Sequence, residues 1–263
     1  MGLAEGRKAL VTGGASGFGL EIARGLRDGG AAVAVVDVDP QRIDVAVAEL
    51  GETAIGIAAD VRSLAQMHDA VERCRAAFGG LDTVVVSAGV FHMGPLDGIS
   101  EADWDRVLDV NLKGAFTTAR AAMPDLRASG RGRMVTIGSD GGRRGYPLQL
   151  PYTASKFGLI GLTESLAAEF AGEGVTVNCV CPVGCPTTGM GQEVLARKVA
   201  RGERTADEVI GAAALTNPVG RNATEADVAA SALFLISDEA SFLTGIALDV
   251  DGGAHLGAVP GIG

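Results

Sequence analysis

"KALVTGGASGFGLEIARGLRDGGAAVAVVD", residues 8–37, runs from an apolar stretch through clustered glycines into a segment of helical spacing, and out into a second apolar stretch. Both "KALVT" (8–12) and "AAVAVVD" (31–37) have the length and β-branched content of strands, and 17–29 carries a helical period between them. Near-continuous apolar strands suit a sheet buried on both faces, and parallel neighbours must be joined by a crossover, here the helix. The stretch therefore predicts strand, glycine turn, helix and parallel strand.

The same alternation continues to the end of the chain. "TAIGIAAD" (53–60), "DTVVVSAG" (82–89), "GRMVTIGS" (132–139), "VTVNCVCP" (175–182) and "GIALDVDGG" (245–253) read as further strands, with helical patterns at about 41–50, 63–79, 101–128, 151–172 and 225–237. The predicted fold is α/β: a single doubly wound parallel seven-stranded sheet (Rossmann fold) with helices on both faces. Ser100 with Asp103, and Thr224 with Asp227, have the spacing of capping boxes and mark two helix starts. No linker, charge block or low-complexity tract divides residues 1–263, so one domain is expected. Residues 183–221 break the alternation with two short helical patches, 191–202 and 205–215, and no strand. A segment of that length inside a domain is expected to cover the substrate.

Composition removes several function classes. The net charge of 22 − 32 = −10 disfavours nucleic acid or an anionic membrane as a main partner. Apolar runs fall short of the roughly 20 residues that span a bilayer, and "MGLAEGRKAL" lacks the apolar segment of a signal peptide, so a cytoplasmic protein is expected. Four cysteines fit a reducing compartment. "NCVCPVGCP" (178–186) has C-x-C-x3-C spacing, but no histidine is near and strand alternation accounts for Cys179 and Cys181; no metal is expected.

Two clusters carry chemistry. Gly13, Gly17 and Gly19 stand between the first strand and helix, where residues lacking Cβ let main chain approach a pyrophosphate at a helix N-terminus. The second strand ends in Asp37, 18 residues after Gly19, where a carboxylate can accept from ribose hydroxyls and repel a 2′-phosphate. With no Arg or Lys at 38, 39 or in the turn, the expected cofactor is NAD rather than NADP. In "LPYTASKFG" (150–158), Tyr152 and Lys156 lie one helical turn apart on one face. A phenol of pKa about 10 is a poor base at neutral pH. An ammonium about 4 Å away at an effective dielectric of about 20 offers about 4 kcal/mol, enough to lower that pKa by 2 to 3 units. Ser139 ends the preceding strand, where its hydroxyl could bind the same substrate oxygen. Read blandly, Asp37 is a solvated strand end and Tyr152 with Lys156 an ordinary helix face; the three residues falling in sequence argue for the site.

"TGGASGFG" (12–19), Asp37, Asp60-Val61, Asn111, Ser139, "YTASK" (152–156), "VNCVCP" (177–182) and "LTGIALDVDGG" (243–253), in this order over nearly the whole chain, resemble the short-chain dehydrogenase/reductases. The resemblance implies that Tyr152 is the catalytic acid/base, Lys156 the residue that lowers its pKa and binds the nicotinamide ribose, Ser139 the residue orienting substrate, and Asn111 a helix-interrupting position linking Lys156 to solvent through a water. It implies cofactor contacts from Gly13, Ser16, Gly17, Phe18 and Gly19 in the turn, and from Asp60 and Val61 at the adenine, where Asp60 could equally cap the next helix. Further contacts are implied for Ala88, Gly89, Pro182 and Gly184. Two departures stand out: Ser87 replaces the usual Asn before Ala-Gly, and Val183 is inserted between Pro182 and Gly184. The insertion leaves the nicotinamide-contacting residue open between Thr187 and Thr188, with Thr188 preferred.

The implied activity is NAD-dependent interconversion of a secondary alcohol and a ketone by a homotetramer, its interfaces formed by helices 101–128 and 151–172 and the C-terminal segment. Two alternatives stand beside it. Arg143, Arg144, Arg197, Lys198, Arg201 and Arg204 could steer an acidic acyl carrier, as in 3-oxoacyl-carrier reduction, although a solvated helix face explains them more simply. A non-catalytic dinucleotide sensor would be expected to have lost Ser139, Tyr152 or Lys156, and all three are present.

Overall fold

A computed structural model of the protein describes residues 3–202 and 205–257; Arg204 lies outside the described residues. The strands are β1 (Lys8–Thr12), β2 (Ala32–Asp37), β3 (Ala54–Ala58), β4 (Thr83–Val86), β5 (Arg133–Ile137), β6 (Thr176–Pro182) and β7 (Ala247–Val250). They form one sheet in the order β3-β2-β1-β4-β5-β6-β7, every pairing parallel. Because β1 pairs with both β2 and β4, the order reverses there. The crevice beyond the carboxyl ends of β1 and β4 is where such sheets bind ligands.

The helices are α1 (Gly17–Asp28), α2 (Pro40–Leu50), α3 (Leu64–Phe78), α4 (Glu101–Leu108), α5 (Gly114–Ala128), α6 (Leu150–Phe170), α7 (Gly189–Ala200), α8 (Ala206–Leu215) and α9 (Glu225–Ile236). Strand alternation sends successive residues to opposite layers, as Leu10 and Val11 of β1 illustrate. Leu10 joins Met67 of α3, Leu126 of α5 and Leu159 of α6, whereas Val11 joins Ile22 and Leu26 of α1, Ile43 of α2 and Leu235 of α9. Both layers are dry, with all of these side chains no more than 5 % exposed. Cys179 and Cys181 are fully buried on β6, as alternation on a buried strand requires.

The helix expected over 101–128 is not continuous. A π-helical turn at Asp109–Lys113 separates α4 from α5 and contains Asn111, 1 % exposed. Such turns concentrate at functional sites because the widened backbone re-aims a side chain. Here Asn111 accepts from Val90 N at 2.8 Å and donates to Val90 O at 3.0 Å, a two-bond clasp on the loop after β4. Apolar periodicity does not register one extra residue per turn, so the pattern alone reads as a single helix. Both expected capping boxes form, and a third, Thr205 with Glu208, starts α8. Among the described residues no helix is long and apolar enough to cross a membrane.

Candidate active site

The turn between β1 and α1 is shaped by backbone that L side chains resist. Gly13 and Gly17 have φ of +62° and +52°. A Cβ on Gly13 would sit 2.7 Å from Ala88 Cα, and one on Gly19 would sit 2.2 Å from Gly13 O. The absence of Cβ at Gly13 and Gly19 therefore brings three main-chain segments together at the N-terminus of α1. A cleft of about 980 Å³ opens there, lined at one end by Gly13, Ser16, Gly17 and Phe18, then Asp37, Asp60 and Val61. Ala88, Gly89, Pro182, Gly184 and Thr188 line it farther along. Gly19 supports this turn from behind, packed on Gly13, and does not line the cleft.

Asp37 Oδ1 accepts from the main-chain N–H of Val38 and Asp39, which fixes the carboxylate at the cleft wall. Asp60 does not cap α3; Ser63 does, accepting from Gln66 N. Asp60 instead accepts from Arg62 N and forms a two-pronged pair with the Arg62 guanidinium, which holds its carboxyl below the usual range. The distance from Asp60 to α3 explains the difference, since a capping side chain must reach the second or third N–H of its helix.

At the other end of the cleft, Ser139, Tyr152 and Lys156 converge from β5 and α6. Ser139 lies just beyond the last residue of β5, and α6 begins with Leu150 and Pro151, where a missing N–H costs no hydrogen bond. All three are buried, at 7 %, 8 % and 5 % exposure. A Cβ on Gly141 would lie 3.4 Å from Ser139 Oγ and 3.5 Å from Tyr152 Cε1, so the serine stands beside the Tyr152 ring, and Phe91 packs edge-on against that ring at 4.9 Å between centroids. Lys156 Nζ donates to Ile137 O at 2.7 Å and lies 5.6 Å from the centre of the Tyr152 ring. A Cβ on Gly89 would lie 3.4 Å from Asn111 Oδ1 and 3.9 Å from Lys156 Nζ, so the π-turn asparagine stands close to the lysine.

The electrostatics correct one expectation. Lys156 does not lower the Tyr152 phenol: burial pushes it up to about 12, against an opposing pull from the Ser139 hydroxyl and aided by the Asp140 carboxylate and Cys181. The amine's hydrogen bond goes to the Ile137 carbonyl. Burial also lowers Lys156 to about 8. Desolvation thus outweighs the mutual attraction that the spacing alone suggested, and ionising the phenol calls for a further positive charge.

The insertion at Val183 resolves into a clear division of the two threonines. Thr187 donates to Glu225 Oε2 at 2.7 Å at the start of α9, outside the cleft lining. Thr188 caps α7, accepting from Gly191 N at 3.0 Å, and lines the cleft at 8 % exposure. The substrate end is further walled by Val90, Phe91, Tyr146 and Gln149, and by Met190, Val194, Leu195, Val209 and Ile210 of α7 and α8. Most of the basic residues expected as one patch are taken up by partners. Arg143 pairs with Asp249, Arg144 with Tyr146 and Asp140, and Arg197 with Glu193, while Lys198 lines the cleft. Sequence reading placed Tyr146 near the site but passed over Asp140, Phe91 and Glu225, although Asp140 follows Ser139 directly, Phe91 lies two residues beyond Gly89 and Glu225 follows the capping Thr224.

Residues 13–255 match the family model described as enoyl-(acyl carrier protein) reductase. The chain is 37 % identical over 246 residues to 2-(S)-hydroxypropyl-CoM dehydrogenase 3 of Xanthobacter autotrophicus, covering 92 % of this chain and 94 % of that one. The chain belongs to the short-chain dehydrogenase/reductase family. Galactitol 2-dehydrogenase of Agrobacterium fabrum is another member, 35 % identical over 93 % of this chain and 96 % of its own. A crystal structure of a putative short-chain alcohol dehydrogenase from Sinorhizobium meliloti superposes with a TM-score of 0.86 at 32 % identity, covering 97 % of this chain and 98 % of that one. The protein is thus an oxidoreductase of the short-chain dehydrogenase/reductase family, and the ordered motifs, the seven-stranded sheet and the relatives agree.

Proposed function

We propose that the protein is an NAD-dependent dehydrogenase interconverting a secondary alcohol and a ketone, with Tyr152 as general acid/base. The observation that carries this reading is the convergence of Ser139, Tyr152 and Lys156 in one cleft with the glycine turn and Asp37. Gly13, Ser16 and Gly17 leave room for a pyrophosphate at the N-terminus of α1, Phe18 walls the same end, Asp37 suits ribose hydroxyls, and Asp60 and Val61 suit the adenine. Ala88, Gly89, Pro182, Gly184 and Thr188 border the remaining length toward Lys156, which is assigned to the nicotinamide ribose. When bound, the dinucleotide supplies the hydride chemistry.

The chain's own residues manage position and protons. Ser139 binds the substrate oxygen beside the Tyr152 hydroxyl, and Phe91 with the aliphatic residues of α7 and α8 excludes water. Residues 183–221 serve as the substrate cover, within a domain comprising the whole chain. A unit positive charge about 4 Å from the phenol at an effective dielectric of about 20 is worth about 4 kcal/mol. That offsets about 3 pKa units, the order needed to bring a buried phenol into working range. Cofactor charge and Lys156 ammonium then act together where the amine alone is insufficient.

The test is reduction of NAD⁺ with propan-2-ol, butane-2,3-diol, threitol and 1-phenylethanol. Turnover with NAD⁺ at least tenfold more efficient than with NADP⁺ is expected, and Asp37→Ser should narrow that gap, because Arg42 also lines the cleft and could then serve a 2′-phosphate. Preference for NADP⁺ in the unaltered protein would overturn the cofactor assignment. Trp104, Phe116 and Phe157, on α4, α5 and α6, the helices assigned to the interfaces, are 38 %, 46 % and 47 % exposed. They support a homotetramer, for which light scattering should give four times the chain mass; a monomer at micromolar concentration would refute it. The small-molecule reading is favoured over an acyl-carrier substrate because the basic side chains of the patch are mostly paired off, and it places the protein in the cytoplasm with no nucleic acid or membrane partner.

A further inference from the structure

Two helices near the substrate end have no core of their own. Among the described residues, α7 and α8 hold no fully buried side chain. Each nevertheless carries an apolar row at helical spacing, Met190, Val194 and Leu195 on α7 and Val209, Ile210 and Ala213 on α8, and all six residues line the cleft. Met190 and Val194 pack against the small apolar cluster of Phe91, Val107 and Tyr152, so the apolar wall begins at the ring of the proposed acid/base. Rows left partly open toward a cleft complete their burial when an apolar ligand fills it.

The polar groups lining the same end are mostly committed to the protein. Arg144 donates to the Tyr146 hydroxyl at 2.8 Å and to Ala254 O at 3.4 Å, and Arg106 donates to Phe91 O at 3.2 Å. Thr216 Oγ1 donates to Ala213 O at 2.7 Å, the Asn217 amide to Arg221 O at 2.8 Å, and the Asn222 amide to Ile210 O at 3.0 Å. Glu193 holds Arg197, while Lys198 is exposed and Gln149 partly so, which leaves both within reach of water. The exception is Asn222 Oδ1, buried with no partner. A single open acceptor does not match a polyol, which brings several hydroxyl groups that would each lose water without a replacement.

We infer that the substrate carries an extended apolar substituent, aryl or alkyl, on its carbinol carbon, held between α7 and α8, and that polyols are not its substrates. The inference rests on the dehydrogenase reading, in which Ser139 and Tyr152 hold the carbinol oxygen at the inner end of this wall. Val194 and Ile210 then set specificity. Val194 lies one helical turn beyond Met190, beside the Tyr152 cluster, and Ile210 represents the row on the second helix. Both are only partly buried, so the fold tolerates their replacement.

The first arm of the test measures kcat/KM with NAD⁺ for butan-2-ol, pentan-2-ol, hexan-2-ol and heptan-2-ol, and for 1-phenylethanol against threitol. A rise of about fourfold per added methylene is expected, and a preference of at least a hundredfold for 1-phenylethanol over threitol. In Val194→Asp and in Ile210→Asp the ratio of heptan-2-ol to butan-2-ol should fall at least tenfold. A flat series, a preference for threitol, or a ratio that neither variant moves would overturn the inference. The second arm reads binding by ligand-observed NMR, with acetophenone and threitol as probes, with and without NAD⁺, which cannot reduce the ketone. Acetophenone should bind and be weakened by either aspartate, and threitol should give no signal. Equal binding of threitol, or acetophenone binding that neither aspartate weakens, overturns the apolar pocket whether or not any alcohol is oxidised. Absence of all turnover together with aspartate-sensitive acetophenone binding counts against the dehydrogenase reading and leaves the pocket assignment standing.

Discussion

Replacing Tyr152 by Phe is expected to lower kcat for alcohol oxidation by about a thousandfold or more while leaving NADH affinity within a fewfold of the original. General acid/base groups contribute about 10²–10⁴ in rate, or roughly 3–5 kcal/mol of barrier. The substitution removes one hydroxyl and keeps the ring that packs on Phe91 at 4.9 Å, so fold and cleft walls should persist. The bond from Ser139 to Asp140 at 3.0 Å does not involve that hydroxyl and stays intact. Steady-state kinetics with fluorescence titration of NADH separates the two effects. Retained turnover in the Phe variant would remove the phenol from the mechanism, and lost NADH binding would mean that Tyr152 chiefly shapes the cofactor site.

Lys156→Met is expected to abolish useful turnover and to change how stability responds to pH. In the folded protein, burial holds the amine at about 8 against an ordinary value of 10.5. The folded-state pKa is depressed, so between these values the unfolded chain binds more protons and stability rises with pH. Below about pH 8 the full cost of burying the ammonium is present in the original protein and absent from the Met variant. The difference in unfolding free energy, original minus Met, should therefore climb by about 2 kcal/mol from pH 8 to 10. Leaving Ile137 O without its donor costs about 1–3 kcal/mol but does not vary with pH, so the slope isolates the charge. Urea unfolding at pH 7, 8, 9 and 10 reads it. A flat difference would show that the amine is not penalised by burial.

A buried lysine in this state also explains why the Tyr152–Lys156 spacing was informative about place and misleading about resting energetics. The spacing puts both side chains on one face of α6, and that much follows from 3.6 residues per turn. Whether the ammonium stabilises the phenolate depends on where Nζ points and on how much water is lost. Nζ turns to Ile137 O on a strand 19 residues earlier, and the phenol loses nearly all its solvent. Similarly, two threonines in "PTTGM" are equivalent on paper. Glu225, nearly 40 residues later, withdraws Thr187 from the cleft and leaves Thr188 facing it.

What the sequence determined by itself was everything carried by local chemistry. Apolar strands alternating with helical periods set the layers, residues lacking Cβ marked the turn at the crevice, and the order of Asp37, Ser139, Tyr152 and Lys156 marked the site and its family. These signals are short-range, because backbone preference and side-chain period act within one element. Tertiary structure decided the rest: the π turn that clasps Val90, the partner of each threonine and the pairing of the arginines. Each depends on contacts between elements distant in the chain, or on burial that sets a group's charge, and neither is encoded in spacing along a single segment.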